Sequence, residues 1–444
     1  MKVVNFINEN IFLPLSDFAF GRNVSKALSF LNKSQWYSKS QIESFQSDKF
    51  VALIRYSYEN VPYYRDLMLK LKLTPNDFKN KYDIIKLPIL IKQDIKQEGI
   101  ERFTSKGIKK SKLIPSSSSG STGEPLFYFN TKEAYSMNIA TSLRGWYWMG
   151  YRLGDKYVKL SQNPRKSLNK WVQDKVSNNL YLPANPLVDS QFNFILNEIE
   201  RFKPKVIRCY PDPLLFLARY KNNHPEFTFH PSALTTTGNT LFPEMRQEIE
   251  NAFRCKVFDS YNCEGNSTVF ECPTHTCYHS AEEYGISEVV DENGNPILKG
   301  IGRLITTDLF NLAHPFIRYD TQDYIEIDTE PCICGRKLLK VMRIIGRDND
   351  VLKMPSGKFF IVHNFTIFFS SNKPELNRSV DQFQVIKTFS NVIFRLVVNN
   401  RFNYLVSNYI QKHWEKEFQI PVKIEVVESI PLTASGKHRF IING

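Results

Sequence analysis

The sequence lacks any apolar run that approaches the roughly 20 residues a helix needs to span a bilayer, so we predict no membrane span. Its first twenty residues, MKVVNFINENIFLPLSDFAF, are apolar in part, but Asn8, Glu9, Asn10 and Asp17 interrupt them. No cleavage site of the small-x-small type follows, which argues against a secretory signal peptide. We therefore expect a cytoplasmic protein.

The sequence also lacks a dense basic arm and any known nucleic-acid-binding motif, although its formal net charge is +13. Lysine and arginine are spread along the whole chain, a pattern that usually indicates solvated surface rather than a nucleic-acid or lipid contact. An anionic substrate such as ATP or coenzyme A would explain the positive field equally well. We expect no nucleic-acid partner.

Walker and protein-kinase signatures are absent as well, which argues against a P-loop ATPase or a kinase. The chain has 444 residues, of which 42% are hydrophobic and 23% are charged. These values are ordinary for globular proteins, and the length allows two or three domains.

A run of hydroxyls and glycines stands out at Ser116–Pro125, SSSSGSTGEP. Small residues let a backbone bend tightly and bring its N–H groups against a phosphate, and the hydroxyls can donate further hydrogen bonds. The run could hold a polyphosphate. A flexible serine-rich linker is the alternative.

Three later segments favour the nucleotide interpretation. Pro431–Arg439, PLTASGKHR, places a lysine in a turn from which it could neutralise a phosphate or carboxylate. Phe316–Asp323, FIRYDTQD, has carboxylates just past an apolar, strand-like run, where they could bind the hydroxyls of a ribose. Ile344–Asp350, IIGRDND, is typical of a domain hinge. An exposed tail lysine, a solvated turn and a polar loop are the respective alternatives.

In this order, the four segments resemble those of the adenylate-forming superfamily of acyl-CoA synthetases and adenylation domains. The chain is most similar to the phenylacetate–CoA ligase branch, including its relatives in capsule and surface-polysaccharide pathways. Arg55–Arg65, Thr236–Thr240 and Val257–Gly265 are further marks of that branch. Several motifs in the right order are far more specific than any one of them.

The resemblance implies an α/β fold in two parts. We expect a large N-terminal domain with parallel-rich sheets over residues 1–346, which would bind ATP and the acid. A small, mobile α+β domain over residues 347–444 would carry the catalytic lysine. Strands alternating with helices between Val206 and Phe258 independently predict parallel α/β units.

Periodicity predicts the remaining elements. Ser25–Leu31 and Ile42–Tyr58 have helical spacing, with Pro62 closing the second run. We predict C-terminal strands at Phe383–Lys387, Val392–Val397 and Val422–Val427. Aromatic residues recur at helical spacing over Tyr128–Tyr151, and the stripe at the end of this segment, Trp146, Tyr147, Trp148 and Tyr151, favours core packing over an acyl pocket.

The resemblance also implies roles for individual residues. Lys437 would bridge the carboxylate and phosphate, Glu264 would help to hold Mg²⁺, and Arg347 and Asp350 would form the hinge. The residues implied to bind ATP or AMP are Ser118, Ser119, Gly120, Ser121, Thr122, Gly123, Gly238, Asn239, Thr240, Tyr261 and Asp323.

Three departures from the branch's pattern bear on these roles. Tyr261 and Glu264 are one residue closer than usual, and Gln322 replaces the glycine that usually precedes the ribose aspartate. Met354–Lys358 replaces a loop rich in arginine and glycine that borders the acceptor tunnel. The last change makes coenzyme A less certain and favours the polysaccharide-associated relatives.

Four of the seven cysteines form two groups that could meet as a tetrahedral zinc site. We expect Cys272, His279, Cys332 and Cys334 as structural ligands, with His275 or Cys277 able to replace one of them. Buried thiols without a metal are the alternative.

The predicted function is ATP-dependent adenylation of a carboxylic acid, followed by transfer to an acceptor, either the thiol of coenzyme A or an amine. The expected cofactors are ATP, Mg²⁺, structural Zn²⁺ and, as one acceptor, coenzyme A. An adenylyltransferase or amide ligase without a thioester step, or a catalytically silent scaffold, remains an alternative. The resemblance leaves a homodimer open.

Overall fold

The structure is a computed structural model of the chain. It describes residues 3–117, 126–161, 174, 177–184, 189–263, 267–347, 351–354, 359–361, 364–365, 368–369, 374–376, 379–431 and 439–443. These residues divide into two compact units: one holds most of the chain up to Ile344, and the other holds residues 322–324 with the chain from Ile345 onward. The domain boundary between residues 346 and 347 stays a prediction.

Helices dominate the first hundred residues: α1 (Val3–Ile7), α2 (Leu13–Phe20), α3 (Val24–Ser34), α4 (Lys39–Asn60), α5 (Pro62–Lys70) and α6 (Lys92–Glu98). A π-helical turn, Asn8–Phe12, joins α1 to α2. Ser38 and Gln41 form a capping box at the start of α4. Pro62 closes α4 as predicted, but it also begins α5, because proline suits the first helical position and forces the preceding Val61 into an extended conformation.

A two-stranded ribbon precedes the next long helix. Strands β1 (Ile114–Ser117) and β2 (Phe127–Asn130) pair antiparallel. Helix α7 (Lys132–Trp148) begins only after this ribbon, where the Thr131 side chain accepts a hydrogen bond from the N–H of Ala134. The predicted helical spacing from Tyr128 is therefore wrong for its first residues, which belong to β2.

The first unit is built around an 11-stranded sheet. Its parallel part contains β3 (Tyr157–Ser161), β4 (Asn179–Pro183), β5 (Val206–Cys209), β6 (Ala233–Thr237) and β7 (Val257–Cys263). These strands lie in the order β4-β3-β5-β6-β7. Helices α8 (Asp189–Phe202), α9 (Pro211–Asn222) and α10 (Pro243–Phe253) connect them. The alternation predicted from sequence is present, although β7 extends five residues beyond Phe258.

The sheet continues with β8 (Ser267–Glu271), β9 (Tyr278–Ser280), β10 (Gly285–Val290), β11 (Gly300–Asp308), β12 (Tyr319–Asp328) and β13 (Lys340–Arg347). Here β7 pairs with β8, β8 with β9, β9 with β13 and β10 with β11 in antiparallel fashion. The order beyond β7 is β8-β9-β13-β12-β11-β10. The expectation that a strand ends before Asp320 and Asp323 is wrong. Phe316 and Ile317 are buried outside any strand, Arg318 has a φ of 55°, and β12 starts after them. Both aspartates thus lie within β12.

The second unit is a small α+β module. A ribbon of β14 (Val351–Lys353) and β15 (Phe359–Ile361) is followed by β16 (Val380–Lys387), β17 (Val392–Val398), α11 (Tyr404–Phe418), β18 (Val422–Val426) and β19 (Ile441–Asn443). The four-stranded sheet has the order β18-β17-β16-β19. Phe365, Phe394 and Trp414 pack together in its core. The predicted fold class is confirmed.

Among the described residues, no helix is both long enough and apolar enough to cross a membrane.

A buried ion pair ties α7 to the sheet. A guanidinium nitrogen of Arg144 lies 2.6 Å from a Glu283 carboxylate oxygen, and both side chains are almost fully buried. Ser34, at the end of α3, donates a second hydrogen bond to the same oxygen. Both charges are removed from water. Replacing only one of the two residues would therefore leave the other as an uncompensated charge in the core.

We therefore predict that Glu283→Gln, which leaves Arg144 charged and unpaired, lowers the free energy of unfolding by about 3–5 kcal/mol. The double variant Arg144→Met/Glu283→Leu should be less destabilised than Glu283→Gln alone. Urea unfolding measures both. Arg219→Gln, which breaks an exposed pair with Glu248, is the control and should change stability by under about 1 kcal/mol. An equal, small loss in Glu283→Gln and the control would contradict the prediction.

Candidate nucleotide site, metal cluster and recess

The predicted nucleotide segment Gly238–Thr240 follows β6 directly, at the edge where all the parallel strands end. In open α/β sheets this carboxyl edge is where ligands bind. Gly238 has a φ of 85°, and a side chain there would meet the ring of Tyr210, whose Cε1 lies 2.6 Å from the position of an added Cβ. Asn239 donates a hydrogen bond of 2.7 Å from Nδ2 to Asp212. The start of α9 therefore fixes this segment.

Tyr261 lies on the neighbouring strand β7. Its ring is half-buried and packs against the apolar cluster that contains Val269, Val289 and Ile325. One side of the ring is thereby supported by the protein. Stacking of an adenine on Tyr261 stays a prediction.

A buried polar network lies behind these two strands. Thr236 donates a hydrogen bond of 2.6 Å to Asp259, and Tyr278 donates one of 3.2 Å to its other carboxylate oxygen. The N–H of Asp259 donates to Glu271, which also accepts from Arg246. Burial raises the pKa of Asp259 to about 7. The network holds β6, β7 and β8 in one register at the point where the sheet turns antiparallel.

Asp323 is buried within β12. The preceding Gln322 has a φ of 62°, in the left-handed region that glycine adopts at no steric cost. This conformation gives a physical reason for the glycine that the branch usually has there. The ribose-binding role of Asp323 stays a prediction.

Several predicted residues lie outside the described part of the chain: Ser118, Ser119, Gly120, Ser121, Thr122, Gly123, Glu264, Asp350 and Lys437. Arg347 is the last residue of β13. The roles proposed for these residues therefore rest on the sequence.

The structure brings cysteines from two distant turns together with a histidine. Cys272 follows β8, Cys277 precedes β9, His279 lies within β9, and Cys332 lies in the turn between β12 and β13. The ligand atoms of these four buried residues all lie within 4.8 Å of one another. Pairing of His279 with Lys340 joins β9 to β13 and so closes the cluster.

The donor separations suit a tetrahedral zinc ion. The Sγ atom of Cys332 lies 3.7 Å from that of Cys272 and 3.5 Å from that of Cys277. Cys277 Sγ lies 3.9 Å from Nε2 of His279. Zinc–sulfur bonds of about 2.3 Å in a tetrahedron place two sulfurs about 3.8 Å apart, whereas a disulfide needs about 2 Å.

Cys334 is close to the cluster but differs from the other cysteines. Its Sγ lies 3.2 Å from Nε2 of His279, and it is partly exposed, whereas Cys272, Cys277 and Cys332 are buried. Cys277, which the sequence offered as a substitute, is the cysteine grouped with the other three donors. His275 instead contacts Glu271, with 3.0 Å between Nδ1 and the carboxylate.

A small recess of about 10 Å³, partly open to solvent, lies between α7 and the sheet; a space of this size holds about one water molecule. Its lining residues are Ser142, Trp146, Arg208, Ser260, Asn262, Thr268 and Phe270. Gly145 lets α7 approach this closely, because a side chain there would overlap the Phe270 ring. The predicted aromatic stripe is therefore divided: Tyr151, beyond the end of α7, is buried in the core, whereas Trp146 of α7 lines the recess.

Arg208, which sequence reasoning missed, supplies the positive charge of the recess. It lies on β5 opposite Lys159 of β3 and Thr235 of β6. Its guanidinium carbon lies 5.6 Å from the centre of the Trp146 ring. The sequence signal that could have identified Arg208 is a single charged residue inside an otherwise apolar strand, VIRC.

Two known proteins are similar in sequence to this chain over most of its length. The chain is 28% identical over 413 residues to Protein CapK of Staphylococcus aureus, covering 90% of this chain and 88% of that protein. It is 26% identical over 332 residues to a phenylacetate–coenzyme A ligase of Thermus thermophilus, covering 71% and 72%. No family model matches the chain.

Solved structures share the fold. A 2-hydroxyisobutyryl-CoA ligase in its postadenylation state superposes with a TM-score of 0.73 at 15% identity, covering 93% of this chain and 92% of that one. The amide bond synthetase McbA of Marinactinospora thermotolerans superposes with a TM-score of 0.52 at 14% identity, covering 74% and 68%.

The contact between Gly238 and Tyr210 leads to a stability prediction. Gly238→Ala must leave the left-handed region or strain there and must also displace the Tyr210 ring, so we expect a loss of about 2–4 kcal/mol. Gly150→Ala is a matched control, because Gly150 has a φ of 86° with nothing within 4 Å of an added Cβ. It should lose only about 1–2 kcal/mol. Equal losses in denaturant unfolding would show that Tyr210 does not constrain the segment.

Proposed function

We propose that this chain, which belongs to the phenylacetate–coenzyme A ligase-like branch of the adenylate-forming superfamily, uses ATP to activate a carboxylic acid. The acyl group would then pass from the acyl-adenylate to an acceptor. The observation that carries the proposal is the nucleotide segment Gly238–Thr240, held at the carboxyl edge of the parallel strands by Tyr210 and Asp212. The fold shared with acyl-CoA and amide-forming ligases supports it.

ATP would lie along this edge. Gly238, Asn239 and Thr240 would line the adenine, and Tyr261 would stack on it, since its ring is supported from behind. Asp323 would bind the ribose hydroxyls. Ser118–Gly123 would donate hydrogen bonds to the phosphates. Such donors stabilise the transition state when they are already oriented before the reaction.

In the first half-reaction an oxygen of the substrate carboxylate attacks the α-phosphorus of ATP. The bond from that phosphorus to the bridging oxygen breaks, and pyrophosphate leaves with the electron pair. Lys437 would neutralise charge between the carboxylate and the phosphate, so that two anions can approach each other. Mg²⁺, with Glu264 among its ligands, would supply further neutralisation of the phosphates.

In the second half-reaction an acceptor thiol or amine attacks the carbonyl carbon. The bond from that carbon to the phosphate oxygen breaks, AMP leaves, and the acceptor loses a proton. Rotation of the C-terminal domain about Arg347 and Asp350 would withdraw Lys437 and admit the acceptor. A CoA ligase and an amide bond synthetase share this fold, which supports coenzyme A and an amine as the two candidate acceptors.

A structural zinc ion would complete the N-terminal domain. Cys272, Cys277, His279 and Cys332 offer donor atoms at tetrahedral separations. The ion would hold the turn after β8 against the turn after β12, which are remote in sequence. Its contribution would be to stability, because all four ligands come from the protein and leave no open position for substrate.

The proposed function predicts ATP–pyrophosphate exchange that depends on a carboxylic acid. Across a panel of aryl, fatty, amino and uronic acids, one class should support exchange. Lys437→Ala should reduce that exchange by at least about 100-fold, as removal of one charge-stabilising group commonly does. Lys423→Ala, an exposed lysine on β18, is the control. ATP binding without exchange for any acid would count against adenylation, and no ATP binding at all would favour the scaffold alternative.

The zinc proposal predicts about one equivalent of zinc in the purified protein. Cys277→Ser should lower both the zinc content and the melting temperature, whereas Cys334→Ser should keep the metal. Cys255→Ser, outside the cluster, is the control. If Cys277→Ser retained zinc and Cys334→Ser lost it, Cys334 rather than Cys277 would be the fourth ligand. Absence of zinc, with no effect of a chelator on the melting temperature, would leave four buried thiols.

A further inference from the structure

The helix over Val3–Phe20 turns polar side chains towards the protein. It consists of α1, the π-helical turn and α2, which follow one another without a break, and we call it the surface helix. Asn5 is buried, and its Nδ2 donates a hydrogen bond of 3.2 Å to Asp155. Asp17 is buried as well, and it accepts hydrogen bonds of 2.7 and 2.8 Å from the N–H and the hydroxyl of Ser25. Polar contacts thus hold the inner face of this helix.

The π-helical turn brings these polar residues onto one face. Asn5 and Asp17 are twelve positions apart, and a regular helix of 3.6 residues per turn would separate them by about a third of a turn. The wider turn at Asn8–Phe12 takes up extra residues and removes this offset. Glu9 within it also faces inward, 3.8 Å from Arg152 and with its side chain 16% exposed. The polar residues that interrupt the apolar run in sequence are therefore largely hidden in the fold.

The outer face of the surface helix is apolar. Eight large apolar side chains remain exposed there, among them Phe18 at 90%. They are Val3, Val4, Phe6, Ile11, Phe12, Leu15, Phe18 and Phe20. Single exposed apolar residues are common, but eight on one helix exceed the patch that a monomeric protein usually leaves in water, and such a patch indicates an interaction surface.

Positive charges flank this apolar face. The Arg22 guanidinium lies over the Phe20 ring, 4.9 Å from its centre. Lys132 donates a hydrogen bond of 2.8 Å to the backbone oxygen of Phe20. Lys26, near the start of the following helix α3, is exposed. The two acidic residues of the surface helix both lie against the protein, so the outer face combines apolar side chains with cations.

This combination disfavours a second copy of the chain as the partner. In a two-fold dimer the same patch faces itself, so Arg22, Lys26 and Lys132 of one copy would approach those of the other. Each chain also carries a formal net charge of +13, and like charges across an interface are unfavourable. An anionic lipid surface instead attracts cations and accepts apolar side chains at the boundary between headgroups and acyl chains.

We infer that the surface helix binds the surface of a membrane that contains anionic phospholipids. The helix, about 27 Å long at 1.5 Å per residue, would lie in the plane of that surface without crossing it. Its apolar side chains would enter the boundary below the headgroups, and Arg22, Lys26 and Lys132 would contact lipid phosphates. No residue proposed to bind ATP belongs to this helix, so the inference is independent of the proposed function.

The test is cosedimentation of the full chain with lipid vesicles. One set consists of phosphatidylcholine alone, and the other of phosphatidylcholine mixed with phosphatidylglycerol. We expect at least about 10-fold tighter binding to the mixed vesicles, because each basic residue near an anionic surface adds attraction. High salt should weaken this preference by screening the charges.

Variants separate the apolar contribution from the charge. Leu15→Gln/Phe18→Gln should weaken binding to the mixed vesicles by at least about 10-fold, because two large side chains no longer leave water. Phe389→Gln is the matched control, since Phe389 is a fully exposed phenylalanine in the turn after β16, and it should bind like the unchanged chain. Arg22→Gln/Lys26→Gln should reduce the preference for phosphatidylglycerol. Melting temperatures should be the same for all of these proteins.

Three results would overturn the inference. Binding to the mixed vesicles that Leu15→Gln/Phe18→Gln leaves unchanged would exclude the surface helix as the contact. Equal binding to both kinds of vesicle would exclude recognition of anionic lipid. Absence of binding to either kind would exclude a membrane partner, and a dimer in analytical ultracentrifugation that Leu15→Gln/Phe18→Gln dissociates would then assign this face to a second copy.

Discussion

The alternation of side chains along β7 is the constraint on which both the candidate nucleotide site and the neighbouring recess depend. Phe258, Ser260 and Asn262 face α7 and the recess, whereas Asp259 and Tyr261 face the opposite side. A slip of one residue would exchange these two sets, because the period of a strand is two residues. Neighbouring strands fix the register of β7 on both sides. Asp259 is paired with Thr236 of β6, and Ser260 is paired with Phe270 of β8.

The same strand is where the sheet changes from parallel to antiparallel, and the polar network secures that change. Asp259 binds Thr236 and Tyr278, and Glu271 binds both the N–H of Asp259 and Arg246. Glu271 directly precedes Cys272, so the network reaches from the strand before Gly238–Thr240 to the cysteine–histidine cluster. Under the proposed function, disruption of the cluster would therefore loosen the strands next to Gly238–Thr240, although none of its residues belongs to that segment.

Sequence motifs predicted more of the fold than of the site. The order of four spaced motifs indicated the branch, and periodicity located strands such as Val392–Val397 within one residue of β17. Asp323 was wrongly placed past a strand end, because an apolar run that is buried without being a strand has the same composition as a strand. Arg208 was missed because one arginine in a strand carries no spacing signal.

Chain order and composition were enough for the two-part α/β fold, the helical first hundred residues and the set of candidate metal ligands, since these depend on local periodicity and on residue types. The selection of Cys277 beside Cys272, His279 and Cys332 depended on the pairing of β9 with β13, which are about 60 residues apart. The position of Arg208 beside Trp146 likewise required α7 to pack over β5. Such contacts join segments remote in sequence, so only the folded chain specifies them.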